Sequence, residues 1–333
     1  MSVLDPLQAL VAALRLDAAG AITIAGRPVA QARGNDEAAL AQALTMAVYT
    51  HAYTRPYPPP PADAAADATG PGDLTPALVA ANTTRAYGEL GWTVFASAPG
   101  GSVVATRHGR TRRFAPGQYV ALDGAAPPPP GTALAVQHAA GSKTLQPGFY
   151  YAFSHGFRDA NDLSPIVRLY WNVHAAGGAV FVGIVTAVLN RYAIPFDLKI
   201  TTARGDFARR DNAVLYLAQD ALAVAWLALS AAMPALRPTL NADVPLFALK
   251  VAPGVGFAED PGNGESFGSA RCALVAAALL GARRGDRFDP DTFATRFAQI
   301  AATAGLDLDA LWRNPGSKED YPFTRPPLAT TAA

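Results

Sequence analysis

Four of the 27 basic residues in this chain are lysines, Lys143, Lys199, Lys250 and Lys318, and the rest are arginines. Arginine holds its charge at any working pH, whereas a lysine taken out of water gives up its proton more easily and then serves as a base. Two of the four sit in apolar, strand-like strings: Lys199 in IPFDLKIT (194–201) and Lys250 in LFALKVA (246–252). Each is either a strand lysine with its head in solvent or a desolvated amine. Arg168 and Tyr170 lie two apart in RLYWNV (168–173), which puts both on one strand face. Arg209, Arg210 and Asp211 precede AVLYL (213–217), which carries Tyr216. Guanidinium and phenol groups so placed make either an ion-paired sheet face or a concave anion site, because planar guanidinium binds phosphate oxygens two at a time.

Three further strings carry polar chemistry. The glycine-rich stretch APGVGFAEDPGNGESFGSAR (252–271) leads into a predicted helix, but it places Glu259, Asp260 and Glu265 where a phosphate needs amides. No GK[ST] follows, so it is not a P-loop. TRHGRTRRF (106–114) reads as a hairpin around Gly109, with Arg110, Arg112 and Arg113 either a solvated face or a seat for an acidic peptide. His155, in FYYAFSHGF (149–157), is either a hydrogen-bonded structural residue or an acid. H-E-x-x-H is absent, and five scattered histidines with one cysteine, Cys272, argue against a metal site or a disulfide framework.

These residues need a scaffold to position them. Half of the 333 residues are hydrophobic and 16% are charged, enough for a sizeable core. A net charge of +1 argues against a nucleic-acid partner. MSVLDPLQAL lacks the features of a secretory signal. The most apolar run, 221–233, stops at Pro234 short of a membrane span, so a cytoplasmic protein without a membrane partner is expected. Periodicity predicts helices over 4–16, 36–53, 75–90, 175–192, 219–233, 265–280 and 290–304. Strands are predicted at 21–26, 92–97, 102–106, 118–122, 149–154, 166–173, 194–201, 212–218 and 244–252. Links too short for parallel crossovers make the fold α+β, with a mixed or antiparallel sheet flanked by helices. The expected organisation is an N-terminal helical and short-strand unit (1–55), a proline- and alanine-rich linker (56–74), a main domain (75–310) and a C-terminal tail (311–333).

Taken in order, RLYWNV, LNRYAIPFDLKI, AVLYLA and APGVGFAEDPGNGESFGSARC resemble the HopA-type family over about 75–305, most strongly over 149–275. That family holds type III effectors and the lyase components of class V lanthipeptide and thioamitide biosynthesis. The resemblance implies the effector phosphothreonine lyase fold, with the first 55 residues a smaller α/β extension. It also implies a reaction: a companion Ser/Thr kinase phosphorylates a ribosomal precursor peptide, and the lyase eliminates phosphate to leave dehydroalanine or dehydrobutyrine, with no cofactor or metal. On this resemblance Lys199 is the base, and Arg168, Arg210, Arg271 and Tyr216 attend the phosphate. Arg168 and Tyr170 replace the lysine and histidine of the family's K-x-H strand, so the acid is Tyr170, His155 or unneeded. Arg110, Arg112 and Arg113 are expected to bind peptide. A non-catalytic phosphopeptide- or leader-binding subunit that assists a kinase is the alternative.

Overall fold

The computed structural model describes residues 4–34, 36–59 and 70–324. The chain starts with α1 (Leu4–Ala13), a small sheet of β1 (Leu14–Leu16), β2 (Ala21–Ile24) and β3 (Arg27–Gln31), and α2 (Glu37–Val48). Asp36 caps α2 by accepting the Ala39 amide at 2.8 Å. A π-helical turn, Tyr49–Tyr53, extends α2 where a continuous helix is predicted. The apolar face of α1 (Leu7, Leu10, Val11) and that of α2 (Leu44, Ala47, Val48) join the same core as the central sheet. Residues 60–69 of the proline-rich stretch lie outside the described residues. Its end is tied down, with Asp73 bridging Ala203 and the Pro71 carbonyl accepting Arg204 Nε at 2.9 Å.

After α3 (Thr75–Ala81) the predicted helix to residue 90 gives way to a strand. Asn82 leaves the helix and donates its side-chain amide to the Ala140 carbonyl and Tyr150 hydroxyl, and Gly88 and Gly91 disfavour a helix beyond it. There follow β4 (Tyr87–Ser97), β5 (Val103–Arg107), β6 (Arg110–Phe114), β7 (Tyr119–Ala121) and β8 (Ala133–His138). They form an antiparallel five-stranded sheet in the order β6-β5-β4-β8-β7. Its own small core is Trp92, Val94, Val103, Phe114, Leu134 and Val136.

The rest of the chain supplies β9 (Gly141–Ser142), β10 (Phe149–Phe153), β11 (Ile166–Trp171), α4 (Gly178–Arg191), β12 (Asp197–Thr201), β13 (Ala213–Ala218) and α5 (Leu222–Leu236). Then come β14 (Leu249–Ala252), β15 (Val255–Glu259), α6 (Phe267–Gly281), the hairpin of β16 (Arg283–Arg284) and β17 (Arg287–Phe288), and α7 (Pro290–Thr303). A seven-stranded sheet runs β14-β15-β11-β13-β12-β10-β9 with every ladder antiparallel, so the fold is α+β. Helix α4 covers one face through Phe181 on Trp171, and α6 covers the other through Phe267 on Tyr170.

Several sequence expectations are corrected. The strand predicted over 244–252 begins only at Leu249, because a turn at Pro245–Ala248 holds Phe247 at a φ of 73°. The glycine-rich stretch is in part a central strand: all five residues of β15 are buried. Helix α5 does not stop at Pro234, and the helical run Gln219–Thr239 is long and apolar enough, by length and composition, to cross a membrane. Here it packs through Leu222, Ala225, Leu229 and Leu236 and leaves Val224 and Leu227 exposed. Within the expected tail, Leu311, Trp312 and Tyr321 are buried. The buried Glu259 carboxylate anchors that segment by accepting from the Asn314 amide, the Ser317 hydroxyl and the Tyr321 hydroxyl at 2.5–2.6 Å.

Gly268, in the first turn of α6, joins the N-terminal elements to the central domain. A Cβ there would collide with the Tyr53 ring and come within 2.9 Å of the Tyr49 ring. Only a bare backbone lets the π-helical turn lie this close. Gly268→Ala is therefore expected to cost about 1–3 kcal/mol by overpacking, read as a lower thermal midpoint by circular dichroism despite alanine's better helix propensity.

Candidate active site

The antiparallel register places the chemistry in two rows. Lys199 pairs with Tyr151 on β10 and Val214 on β13, and Val214 pairs with Tyr170 on β11. In the next row Asp197 pairs with Phe153 and Tyr216, and Tyr216 pairs with Arg168. Side chains alternate across a strand, so these residues share one face, while Leu198, Leu215 and Leu169 enter the core on the other. Lys250 is on the edge strand β14 and exposed, which leaves Lys199 as the lysine taken from water.

Lys199 is half-buried, with Nζ 3.9 Å from the centre of the Phe149 ring. Among the described residues it has no hydrogen bond or ion pair. Burial pulls its amine from 10.5 down to about 8. The Asp211 carboxylate opposes that fall, and Arg209 and Arg168 add to it by like-charge repulsion.

Each guanidinium near Lys199 has a carboxylate. Arg168 is buried, donates Nε to Asp260 Oδ2 at 2.7 Å and a terminal nitrogen to the Glu265 carbonyl at 3.1 Å, and stands 5.4 Å above the Tyr216 ring. Arg209 grips Asp211 with two bonds of 2.9 Å and donates to the Tyr49 hydroxyl at 3.1 Å. That hydroxyl in turn donates to Asp211 at 3.2 Å. Burial pushes the Tyr49 phenol up, so it stays protonated.

The structure brings together part of the expected set. Arg209, not Arg210, faces Lys199. Arg210 lies 3.4 Å from Asp243, and its Nε is buried without a partner among the described residues. Arg271 spends Nε and one terminal nitrogen on the Leu311 and Arg313 carbonyls, 2.7 Å each, and holds the C-terminal segment. Tyr170 is buried beside Tyr53 and Arg168, and burial raises its phenol. His155 lies off this face, on the loop after β10, where Nε2 accepts the Arg85 amide at 3.1 Å and its own amide donates to Asn190. Arg110 and Arg112 lie on the inner face of β6 and line a cleft, whereas Arg113 is on the outer face. Among the described residues no group of three or more His, Cys, Asp or Glu could hold a metal ion.

Sequence reasoning missed Tyr49 and Asp197. Tyr49 comes from the N-terminal elements, 162 residues from Asp211, and the fold joins them directly, with the Thr54 carbonyl also accepting the Arg210 amide at 2.7 Å. Asp197 was visible as the residue two before Lys199 on its own strand, and the period of two was the available signal.

The HopA1 effector protein family is matched over residues 140–313. An effector protein of Pseudomonas syringae pv. tomato strain DC3000 is similar in structure, with a TM-score of 0.38 and 20% identity, over 50% of this chain and 63% of that one. An effector protein of Pseudomonas syringae pv. syringae strain 61 has a TM-score of 0.38 and 17% identity, over 49% of this chain and 62% of that one. The alignments thus span less than two thirds of either effector. No curated protein matches the chain.

The Lys199 amine is expected to titrate near pH 8, as followed by NMR of the lysine side chain. Asp211→Asn removes the one carboxylate that holds the proton on, so the titration should move to lower pH. Tyr49→Phe, which keeps that carboxylate, should shift it less.

Proposed function

The chain belongs to the HopA1 effector protein family, and from that premise we propose that it is a phosphoserine/phosphothreonine lyase acting on a ribosomally made precursor peptide that a companion kinase has phosphorylated. The observation that carries the proposal is Lys199: a half-buried amine titrating near 8, free of hydrogen bonds to the described residues, on a face shared with Arg168, Tyr216 and Tyr170.

In the reaction the neutral Lys199 amine takes the proton from Cα of the phosphorylated residue. The electron pair of that C–H bond becomes the Cα=Cβ double bond, and the Cβ–O bond breaks toward phosphate. The phosphate leaves with both electrons of that bond and takes one proton, so the products are the dehydroamino acid and inorganic phosphate, with Lys199 protonated. Cα–H is a weak acid, and a base poised near the working pH is the efficient choice. Arg168, Arg209 and the hydroxyl of Tyr216 would stabilise charge growing on phosphate and on the enolate-like carbonyl. Of the two candidate acids, Tyr170 lies beside Arg168, whereas the His155 ring has Nε2 committed to a backbone amide.

One observation favours a non-catalytic phosphopeptide-binding subunit. Arg168 is already paired with Asp260, and that pairing costs several kcal/mol to open without a substitute anion. A phosphothreonine peptide incubated with the protein without ATP or added metal, then analysed by mass spectrometry, separates the two. The lyase is expected to remove the whole phosphoric acid unit and leave an alkene that a thiol traps. Its kcat/KM should rise with pH to a plateau above about 8, because the base works unprotonated. Lys199→Ala should lose about 10²–10⁴-fold in turnover while peptide binding survives. An unchanged peptide would favour the binding subunit, and recovered threonine would mean phosphatase chemistry.

A further inference from the structure

Between the two larger sheets lies a cleft of about 730 Å³ that adjoins the candidate active site and shares only Tyr216 with the residues given a part in the reaction. One wall is the inner face of β6 with Arg110 and Arg112, and the opposite wall is the lower row of the candidate active site, Asp197 and Tyr216. Asp197 is two residues from Lys199, so a chain in the cleft arrives within roughly 7 Å of the amine's strand position.

Arg158 at this cleft is paired with Asp162, but Arg110 and Arg112, unlike the arginines beside Lys199, have no carboxylate of their own among the described residues. Arg112 donates to His138 Nδ1 at 2.8 Å. Arginine is only a donor, so Nδ1 accepts, and Nε2 carries the proton toward Glu89 at 3.0 Å. Arg110 donates to the Phe157 carbonyl at 2.5 Å. Both guanidiniums stack on the Phe157 ring, 4.1 Å and 5.1 Å from its centre. Three nearby acids are occupied, Glu89 by Arg107 and His138, Asp159 by the amides of Thr111 and Asn161, and Asp162 by Arg158, while Asp220 also lines the cleft without an ion pair among the described residues. Among the described residues neither Arg110 nor Arg112 has an ion pair. Asp197 faces Arg112 across the cleft without bonding to it.

A stacked guanidinium with an unused donor edge suits a carboxylate. We propose that this cleft binds the substrate segment flanking the phosphorylated residue, with an acidic side chain of that segment seated on Arg110 and Arg112. The proposal rests on the peptide-substrate reading above and adds a sequence preference to it. Asp197 repels an acid immediately beside the phosphorylated residue, so the favoured acid stands further along the segment. Arg113, on the outer face of the same strand, takes no part.

Three fluorescein-labelled phosphothreonine peptides test this by anisotropy on the full chain at low salt. One carries glutamine at three flanking positions on both sides, and the other two carry glutamate on one side each, leaving the adjacent residue neutral. One of the glutamate peptides is expected to bind at least tenfold tighter than the glutamine peptide, with the gap narrowing as salt rises. Arg110→Gln, at an exposed guanidinium, should abolish the gap, and Ala139→Trp, which puts an indole into the cleft, should weaken both glutamate peptides. Arg113→Gln should leave the gap in place. Equal affinity for all three peptides overturns the proposal, as does a gap that Arg110→Gln leaves intact. Mass spectrometry of the same mixtures keeps the two ideas apart: a gap without elimination sinks the lyase alone, and elimination without a gap sinks the cleft alone.

Discussion

A sheet face that gathers Lys199, Arg168 and Arg209 has to keep three cations from driving it apart. The solution is unequal. Arg209 has Asp211 and Arg168 has Asp260, each within ordinary charge-assisted hydrogen-bond distance. Lys199 has an aromatic ring and a carboxylate already committed elsewhere. Guanidinium cannot shed its proton in a protein and must be paired, whereas an amine can yield. The arrangement therefore puts the whole cost of crowding on the one group able to become neutral.

That balance depends on where the chain turns before β13. Asn212 is fully buried and donates its side-chain amide to the carbonyls of Val173 at 2.8 Å, Phe207 at 3.1 Å and Arg209 at 2.6 Å, while its own oxygen accepts the Val173 amide at 2.9 Å. A buried amide satisfied at both ends fixes the loop to the end of β11. With the loop fixed, Arg209 turns toward Asp211 and Tyr49 and Arg210 toward Asp243. The alternation of a strand, continued backward from Ala213 through Asn212 and Asp211, would not have told which arginine goes which way.

The two rows of chemistry were legible because a period of two is a local property. Arg168 with Tyr170, and Lys199 inside IPFDLKIT, needed only the strand to exist, and the antiparallel registers then aligned them. What was not legible is long-range or side-chain-specific. The helix expected through residue 90 ends at Asn82 because of a hydrogen bond to Ala140, 58 residues away. The glycines of 252–271 read as a backbone leading into a helix, but Gly256 lies in a buried strand where a Cβ would press on Ala248 and Val244 at 3.2–3.3 Å, so glycine here serves close packing. Arg271, a phosphate ligand only by the family resemblance, is bound to two carbonyls in the fold, a partnership no spacing announces.

The stretch that matches the family begins at residue 140, yet the electrostatics of Lys199 reach outside it. Tyr49 bonds both members of the Arg209–Asp211 pair, and Tyr53 stands beside Tyr170. Both tyrosines come from the π-helical turn, and the extra residue of such a turn shifts the side chains that follow relative to a regular helix. Gly268 then lets that turn settle on α6. The N-terminal elements share one core with the central sheet, and through Tyr49 they reach the Arg209–Asp211 pair that acts on Lys199. Drying is what lowers the amine, since burial is the largest influence on it. A residue outside the matched region thus holds the ion pair whose two members act in opposite directions on the Lys199 amine.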